Sequence, residues 1–306
     1  MSKPPLSIAE QIALLRSRNM RFRGEVSPEA VLTNISYYRL KGYWWGFEEN
    51  HIAHTFKENC YFEDVLELYN FDRNLRGLLF SAIERIEVAL RAKLTQHFSL
   101  EKGPHWHLES IHFQRPELHS AFLITLEKEL DRCKEEFIRA HVEKHPDHHP
   151  EAWKALEIMS LGALSKLYKN IRHQNPEKNC IAQEFGLFNQ KHLQSWLVTI
   201  THVRNIIAHH GRLWNRVLIT NYEWPRNTPF PLLNTIPTAY ERRKIYPILS
   251  AIVYLNDRLF PNHGFDVAFK DLLQIYPQIP LSQMGFPENY LDEPVWNTQI
   301  NHTGLP

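Results

Sequence analysis

Between Phe62 and Phe98 the residues Val65, Leu66, Tyr69, Leu75, Leu78, Leu79, Ile83, Ile86, Leu90 and Leu94 recur at helical spacing. Periodicity of that length and regularity predicts a long helix with one face committed to a core. The opposite face is assigned Arg73, Arg76, Glu84, Arg85, Glu87, Arg91 and Lys93, and a bend is expected near Phe71-Asp72. Gly103-Pro104 closes the block.

Helical patterns dominate the remainder. Ser7 caps a first helix carrying Ile8, Ile12, Leu14 and Leu15. Ser27-Pro28 starts a second, which is expected to reach Gly42 and end there. Further helices are predicted from about Leu118 to Glu143, Ala152 to Ile158, and Pro176 to Phe185, the last ended by Gly186. Asn189 caps a helix through Trp196, Leu197, Ile200 and Val203. A last long helix is predicted from Thr238 to Phe260, with a shorter piece from Phe265 to Ile275 in a proline-rich tail. Pro225 to Pro237 reads as an irregular loop. No stretch alternates convincingly as a strand, so the fold class is all-α.

The composition excludes several classes. With 43% hydrophobic residues, a large core is available, and 8 Trp, 12 Tyr and 17 Phe oppose disorder. A net charge of +1 gives no global basic field, so any nucleic-acid surface must be local. Cys60, Cys133 and Cys180 are odd in number and widely spaced, which argues against a disulfide framework and for ordinary buried or half-buried thiols. No apolar run reaches the ~20 residues of a membrane helix, and Met1-Ser2-Lys3-Pro4-Pro5-Leu6 lacks a signal-peptide core. A cytoplasmic protein without membrane contact is expected.

The chemically specific stretch is Arg204-Asn205-Ile206-Ile207-Ala208-His209-His210-Gly211-Arg212. Arginine offers phosphate a planar fork of donors, and imidazole moves protons near neutral pH. Asn205 and His209, four apart, share a helical face. Arg204 and His209, five apart, diverge by about 140° on a straight helix. The arginine's length, a helix end at Gly211 or a second copy of the chain could bring them together. Such a set suits cleavage of RNA, which carries its own 2′-hydroxyl nucleophile and needs only a base, an acid and a stabiliser of phosphate charge. No metal or other cofactor is needed on this route. An amphipathic helix could equally carry these residues without catalytic purpose.

The wider text resembles one family. Ser36-Tyr37-Tyr38-Arg39-Leu40-Lys41-Gly42-Tyr43-Trp44 is similar to the opening motif of the Abi family, the AbiD/AbiF-like bacterial abortive-infection proteins. Phe71-Asp72-Arg73-Asn74-Leu75-Arg76 with Ile83-Glu84-Arg85-Ile86-Glu87, then Glu157 to Ser165, then Arg204 to Arg216, resemble the family's later motifs in order. The resemblance implies a HEPN-like helical bundle with additional N- and C-terminal helical elements: an arm over 1–30, the family domain over 31–220, and a helix with a proline-rich tail over 221–306. It implies that Arg204 and His209 match the HEPN catalytic arginine and histidine, and that Asn205 matches the polar residue after that arginine. It further implies a homodimer, RNA as substrate, and restraint by a cognate small non-coding RNA.

Arg212, Arg216, Arg39, Arg91 and His210 are the candidate RNA contacts, with Arg73 and Arg76 as weaker ones; ion pairs to Glu84 or Glu87 are the competing reading. Tyr37, Tyr38, Tyr43, Trp44 and Trp45 are expected to pack rather than stack on bases. His202, His209 and His210 lack a carboxylate or cysteine to complete a zinc set, so no metal site is assigned. His145, His148 and His149 are expected in a solvated loop. The expected activity is an endoribonuclease toxin of phage defence giving 2′,3′-cyclic phosphate and 5′-hydroxyl ends. The alternatives are a non-catalytic RNA-binding module and a protein-sensing defence component.

Overall fold

A computed structural model describes residues 4–297. Residues 1–3 of the expected N-terminal arm and 298–306 of the expected tail lie outside the described residues. In chain order the elements are α1 (Ile8–Ser17), α2 (Pro28–Ile35), α3 (Tyr37–Trp44), β1 (Glu48–Asn50), β2 (Thr55–Phe56), α4 (Phe62–Lys102), α5 (Pro116–Arg132), α6 (Glu136–Lys144), α7 (Ala152–Ala155), α8 (Leu161–Asn170), α9 (Pro176–Glu184), α10 (Gln190–Ala208), α11 (Ile245–Leu259) and α12 (Phe265–Ile275). The protein is all-α apart from a two-stranded antiparallel hairpin, β1 with β2, which the sequence did not announce.

The chain divides into two compact units. The first comprises Met1–Leu78, Arg212–Trp214 and Ala268–Pro280, and the second Leu79–Gly211, Asn215–Val267 and Leu281–Pro306.

In the first unit, Ser7 and Glu10 form a reciprocal capping box at α1. Gly42 does not end a helix. The break falls earlier, at Ser36, which takes φ 69°, closes α2 by donating its N–H to the Leu32 carbonyl, and caps α3 through its hydroxyl. Gly42 sits inside α3, where the Arg212 side chain passes 3.9 Å from the place a Cβ would occupy. Tyr43 and Trp44 are buried as expected, whereas Tyr38 and Trp45 are exposed, Trp45 stacking on His51. The unit is centred on Asp72, fully buried in the first half of α4. Its carboxylate accepts from the Tyr43 hydroxyl at 2.7 Å, from Arg76, from the Leu213 N–H at 3.0 Å and from the Trp214 N–H at 2.6 Å. Arg76 therefore belongs to the interior, not to the exposed face the periodicity assigned it. Burial pushes the Asp72 carboxyl up from the usual range, and Arg76 with the surrounding donors opposes that push.

In the second unit, α10 packs against α8, α9 and α11, and α8 also packs against α5. The predicted helix from Leu118 to Glu143 is two helices. α5 buries His119, Phe122 and Leu126, whereas α6 buries Ile138 and His141. On a straight continuation, the second set would face about 100° away from the first. Extended backbone at Cys133 and Glu135 re-aims it. The predicted Ala152–Ile158 helix stops at Ala155, and the Leu156 and Met159 carbonyls instead accept from Arg91 at 2.9 and 3.0 Å. The last long helix starts at Ile245 rather than Thr238. Pro247 has no N–H to give a preceding turn and fits only near a helix start. Cys60 is buried and Cys133 half-buried, but Cys180 is exposed, so the expectation for the thiols holds for two of three.

Candidate functional site

The site is built on α10. Asn189 accepts from the Lys191 N–H at 2.8 Å and starts the helix. Leu193, Trp196, Leu197, Thr199, Ile200, Val203, Ile206 and Ile207 are buried, so one face is committed to the core. Lys191, Val198, Asn205 and His209 lie exposed along the other face. Lys191 and His209 are five turns apart at 3.6 residues per turn and occupy the same meridian.

The helix ends on an unusual version of a common cap. His209 is the C-cap, His210 adopts φ +56°, and the N–H groups of His210 and Gly211 bond the carbonyls of Ile207 (2.9 Å) and Ile206 (2.7 Å). This is a Schellman closure. The left-handed position is taken by histidine, one residue before the glycine on which the sequence reading placed the helix end. Gly211 has a different task. A Cβ there would lie 3.1 Å from the Ile206 carbonyl oxygen and 3.1 Å from its Cγ2, a tight approach over the last helical turn that glycine makes without displacing either atom. The cap thus fixes where His209 stands.

Arg204 points away from the exposed stripe. It lines a cleft of about 270 Å³ with Phe80, Glu84, Glu87, Val88 and Arg91 of α4. Asn205 and His209 do not line that cleft. The divergence expected from the five-residue spacing is therefore retained in the folded chain. Arg91 is anchored, donating to Glu87 at 3.1 Å as well as to the two carbonyls that follow α7. Glu87 is thus in a structural ion pair. Arg204, Asn205 and His209 have no side-chain hydrogen bond or ion pair among the described residues.

Arg216 lies against the turn, its Nη1 3.4 Å from the position of a Gly211 Cβ. His202, on the exposed side of α10, has its pKa lowered, first by burial and then by the charge of Arg216. His210 is exposed and Arg216 half-buried. Arg212 and Arg39 belong to the first unit, Arg212 half-buried over Gly42 and Arg39 exposed on α3. Among the described residues, no group of histidine, cysteine, aspartate and glutamate side chains is arranged to hold a metal ion. No helix among them is long and apolar enough to cross a membrane.

The sequence reading did not identify Phe80, Glu84 and Val88 as the wall facing Arg204. Their signal was available: they repeat every four residues and form an exposed stripe beside the apolar face of α4. Nor did it identify Asp72. A carboxylate four residues before an arginine, set among Leu68, Phe71, Leu75 and Leu79 on the buried side, was the mark of a buried pair.

These observations define a helical protein with two distinctive groups of residues, one that builds an anchor around Asp72 and one that sits at an exposed helix end. The family model for Abi-like proteins matches residues 30–215, and the chain belongs to that family. Membership suggests a part in abortive-infection defence against phage. No curated protein and no solved structure matches the chain.

Proposed function

We propose that this protein is a HEPN-type, metal-independent endoribonuclease of the AbiD/AbiF-like kind, acting as a homodimer in abortive infection. His209 serves as general acid or base, Arg204 holds the scissile phosphate and stabilises its charge, and Asn205 orients them. A base removes the 2′-hydroxyl proton, and the 2′-oxygen attacks the adjacent phosphorus. The bond from phosphorus to the 5′-oxygen breaks as an acid protonates that oxygen. The products are a 2′,3′-cyclic phosphate and a 5′-hydroxyl. Arg212, Arg216, Arg39, Arg91 and His210 are proposed to contact the RNA. A cognate small non-coding RNA is proposed to restrain the enzyme.

One observation carries the reading. At the end of a helix that commits one face to the core, an asparagine and a histidine stand in solvent while the arginine lines an open cleft. Arg76, by contrast, is taken up by a buried structural partner, Asp72. The test is cleavage of single-stranded RNA in chelator by wild type and by His209→Ala. The expected outcome is cyclic-phosphate ends from wild type and a loss of at least about 100-fold in the variant, the scale on which general acid–base groups contribute. Equal cleavage by both would remove His209 from the chemistry.

A further inference from the structure

A second cleft opens beside the N-terminal half of α10, with a volume of about 530 Å³. Lys169, Lys191, Arg242 and His173 line it, against a single carboxylate, Glu223. Lys169 and Lys191 are exposed, and neither makes an ion pair among the described residues. Arg242 is tethered by its Nη1 to the Pro237 carbonyl at 3.0 Å, while its Nε is buried without a hydrogen-bond partner. Tyr222 also lines the cleft, is 2% exposed, and its hydroxyl is likewise without a partner. A protein of net charge +1 has no general excess of cations to scatter here. The natural acceptor for a cluster of lysine, arginine and histidine is a phosphate oxygen.

The cleft does not stand alone. Lys191 shares its meridian on α10 with His209, about 27 Å further along the axis at 1.5 Å per residue. Val198, Asn205 and the His202–Arg216 neighbourhood lie between or beside them. The geometry points to the cleft as a phosphodiester-binding subsite for single-stranded RNA, laid along the outer face of α10 with its scissile bond at His209. This placement rests on the nuclease reading for the identity of the strand; the cleft's preference for phosphate does not. Exposed Val198 offers bases an apolar surface without hydrogen-bond readout, so the subsite grips backbone and carries little sequence preference.

The test uses the full chain and a fluorescein-labelled 12-nucleotide single-stranded RNA, with binding measured in the His209→Ala background to prevent turnover. Lys169→Ala combined with Lys191→Ala is compared with Lys128→Ala combined with Lys144→Ala, two exposed lysines outside this cleft. The cleft pair is expected to weaken binding about tenfold or more and to reduce the slope of log affinity against log salt by about 1.4, two phosphate contacts at ~0.7 each. The control pair is expected to change the slope by less than half as much. With His209 restored and RNA titrated, the cleft pair should raise KM. Unchanged affinity and slope in the cleft pair overturn the subsite, while cleavage lost only in His209→Ala leaves the nuclease standing. Altered binding without any cyclic-phosphate product keeps the subsite and removes the nuclease. Binding of adenosine monophosphate that the cleft pair abolishes, with RNA binding untouched, overturns the strand and makes this a mononucleotide site.

Discussion

His107 shows how a single side chain sets the behaviour of the protein in acid. It is fully buried beside Trp106, and neither ring nitrogen has a hydrogen-bond partner. Burial, reinforced by His105, His149 and His119, depresses its pKa to about 3. The unfolded chain takes up this proton near pH 6.5 and the folded chain does not, so stability is intact above 6.5 and is lost as pH falls toward 3. The full loss is on the order of 5 kcal/mol for a shift of this size. His107→Leu should therefore flatten the acid limb of a urea-unfolding stability profile over that window, and at pH 7 stay within about 1 kcal/mol of wild type or exceed it, since it removes unsatisfied polar atoms. An unaltered acid limb would place the acid sensitivity elsewhere. Nothing in the sequence around His107 sets it apart from the chain's other histidines, because its character comes from what packs on it. The placement of Arg204, Asn205 and His209 on one helix end was legible for the opposite reason. Their chemistry belongs to residue types at fixed spacing on one helix, and the exposure of Asn205 and His209 follows from where α10 places its apolar face. The basic cleft was not legible, since Lys169, Lys191 and Arg242 come from separate segments joined only by folding.

Among the elements, those defined by local chemistry matched the structure. Ser7, Ser27 and Asn189 cap the helices they were assigned, and Gly103 and Gly186 close theirs with φ +91° and +77°. The misplaced boundaries arose where tertiary partners decided. Arg91 takes the Leu156 and Met159 carbonyls just past the end of α7, and the division between α5 and α6 re-aims a buried stripe that carries no glycine or proline to announce it. The end of α10 combines both kinds of cause. Its glycine was readable, but the positive φ of the residue before it was not. Gly211→Ala tests the consequence. The added methyl crowds the Ile206 carbonyl and Cγ2 at 3.1 Å, so the turn is expected to give by a few tenths of an ångström, at a cost of about 1–3 kcal/mol by analogy with overpacking. Because displacement of about 1 Å in a reacting group can cost about 100-fold in rate, RNA cleavage should fall more than tenfold under conditions where circular dichroism still shows a folded helix complement. Wild-type cleavage in a destabilised Gly211→Ala protein would mean that the cap serves stability alone.

For the whole molecule, the question is how two groups that diverge on one helix can act on one phosphate. Arg204 opens toward α4 while His209 faces solvent on the outer stripe of α10, about 140° around the axis. Within one chain, neither the C-cap nor the cleft brings them to a common point. The proposed two-fold pairing of chains would supply the missing geometry, since in an isologous contact the surface around one copy's arginine can meet the surface around the other's histidine. The proposed homodimer then has two sites, each with Arg204 from one protomer and His209 from its partner. Mixing tests this sharply. Arg204→Ala and His209→Ala proteins should each be inactive alone. Combined by co-refolding in equal amounts, about half the dimers are mixed, and each mixed dimer holds one site with both groups intact, so cleavage should return to about a quarter of wild type for statistical pairing. Sedimentation should show the same dimer in every sample, which separates loss of pairing from loss of chemistry. A mixture that stays inactive while remaining dimeric would mean that each phosphate is served by an arginine and a histidine of the same chain, or by full sets from both.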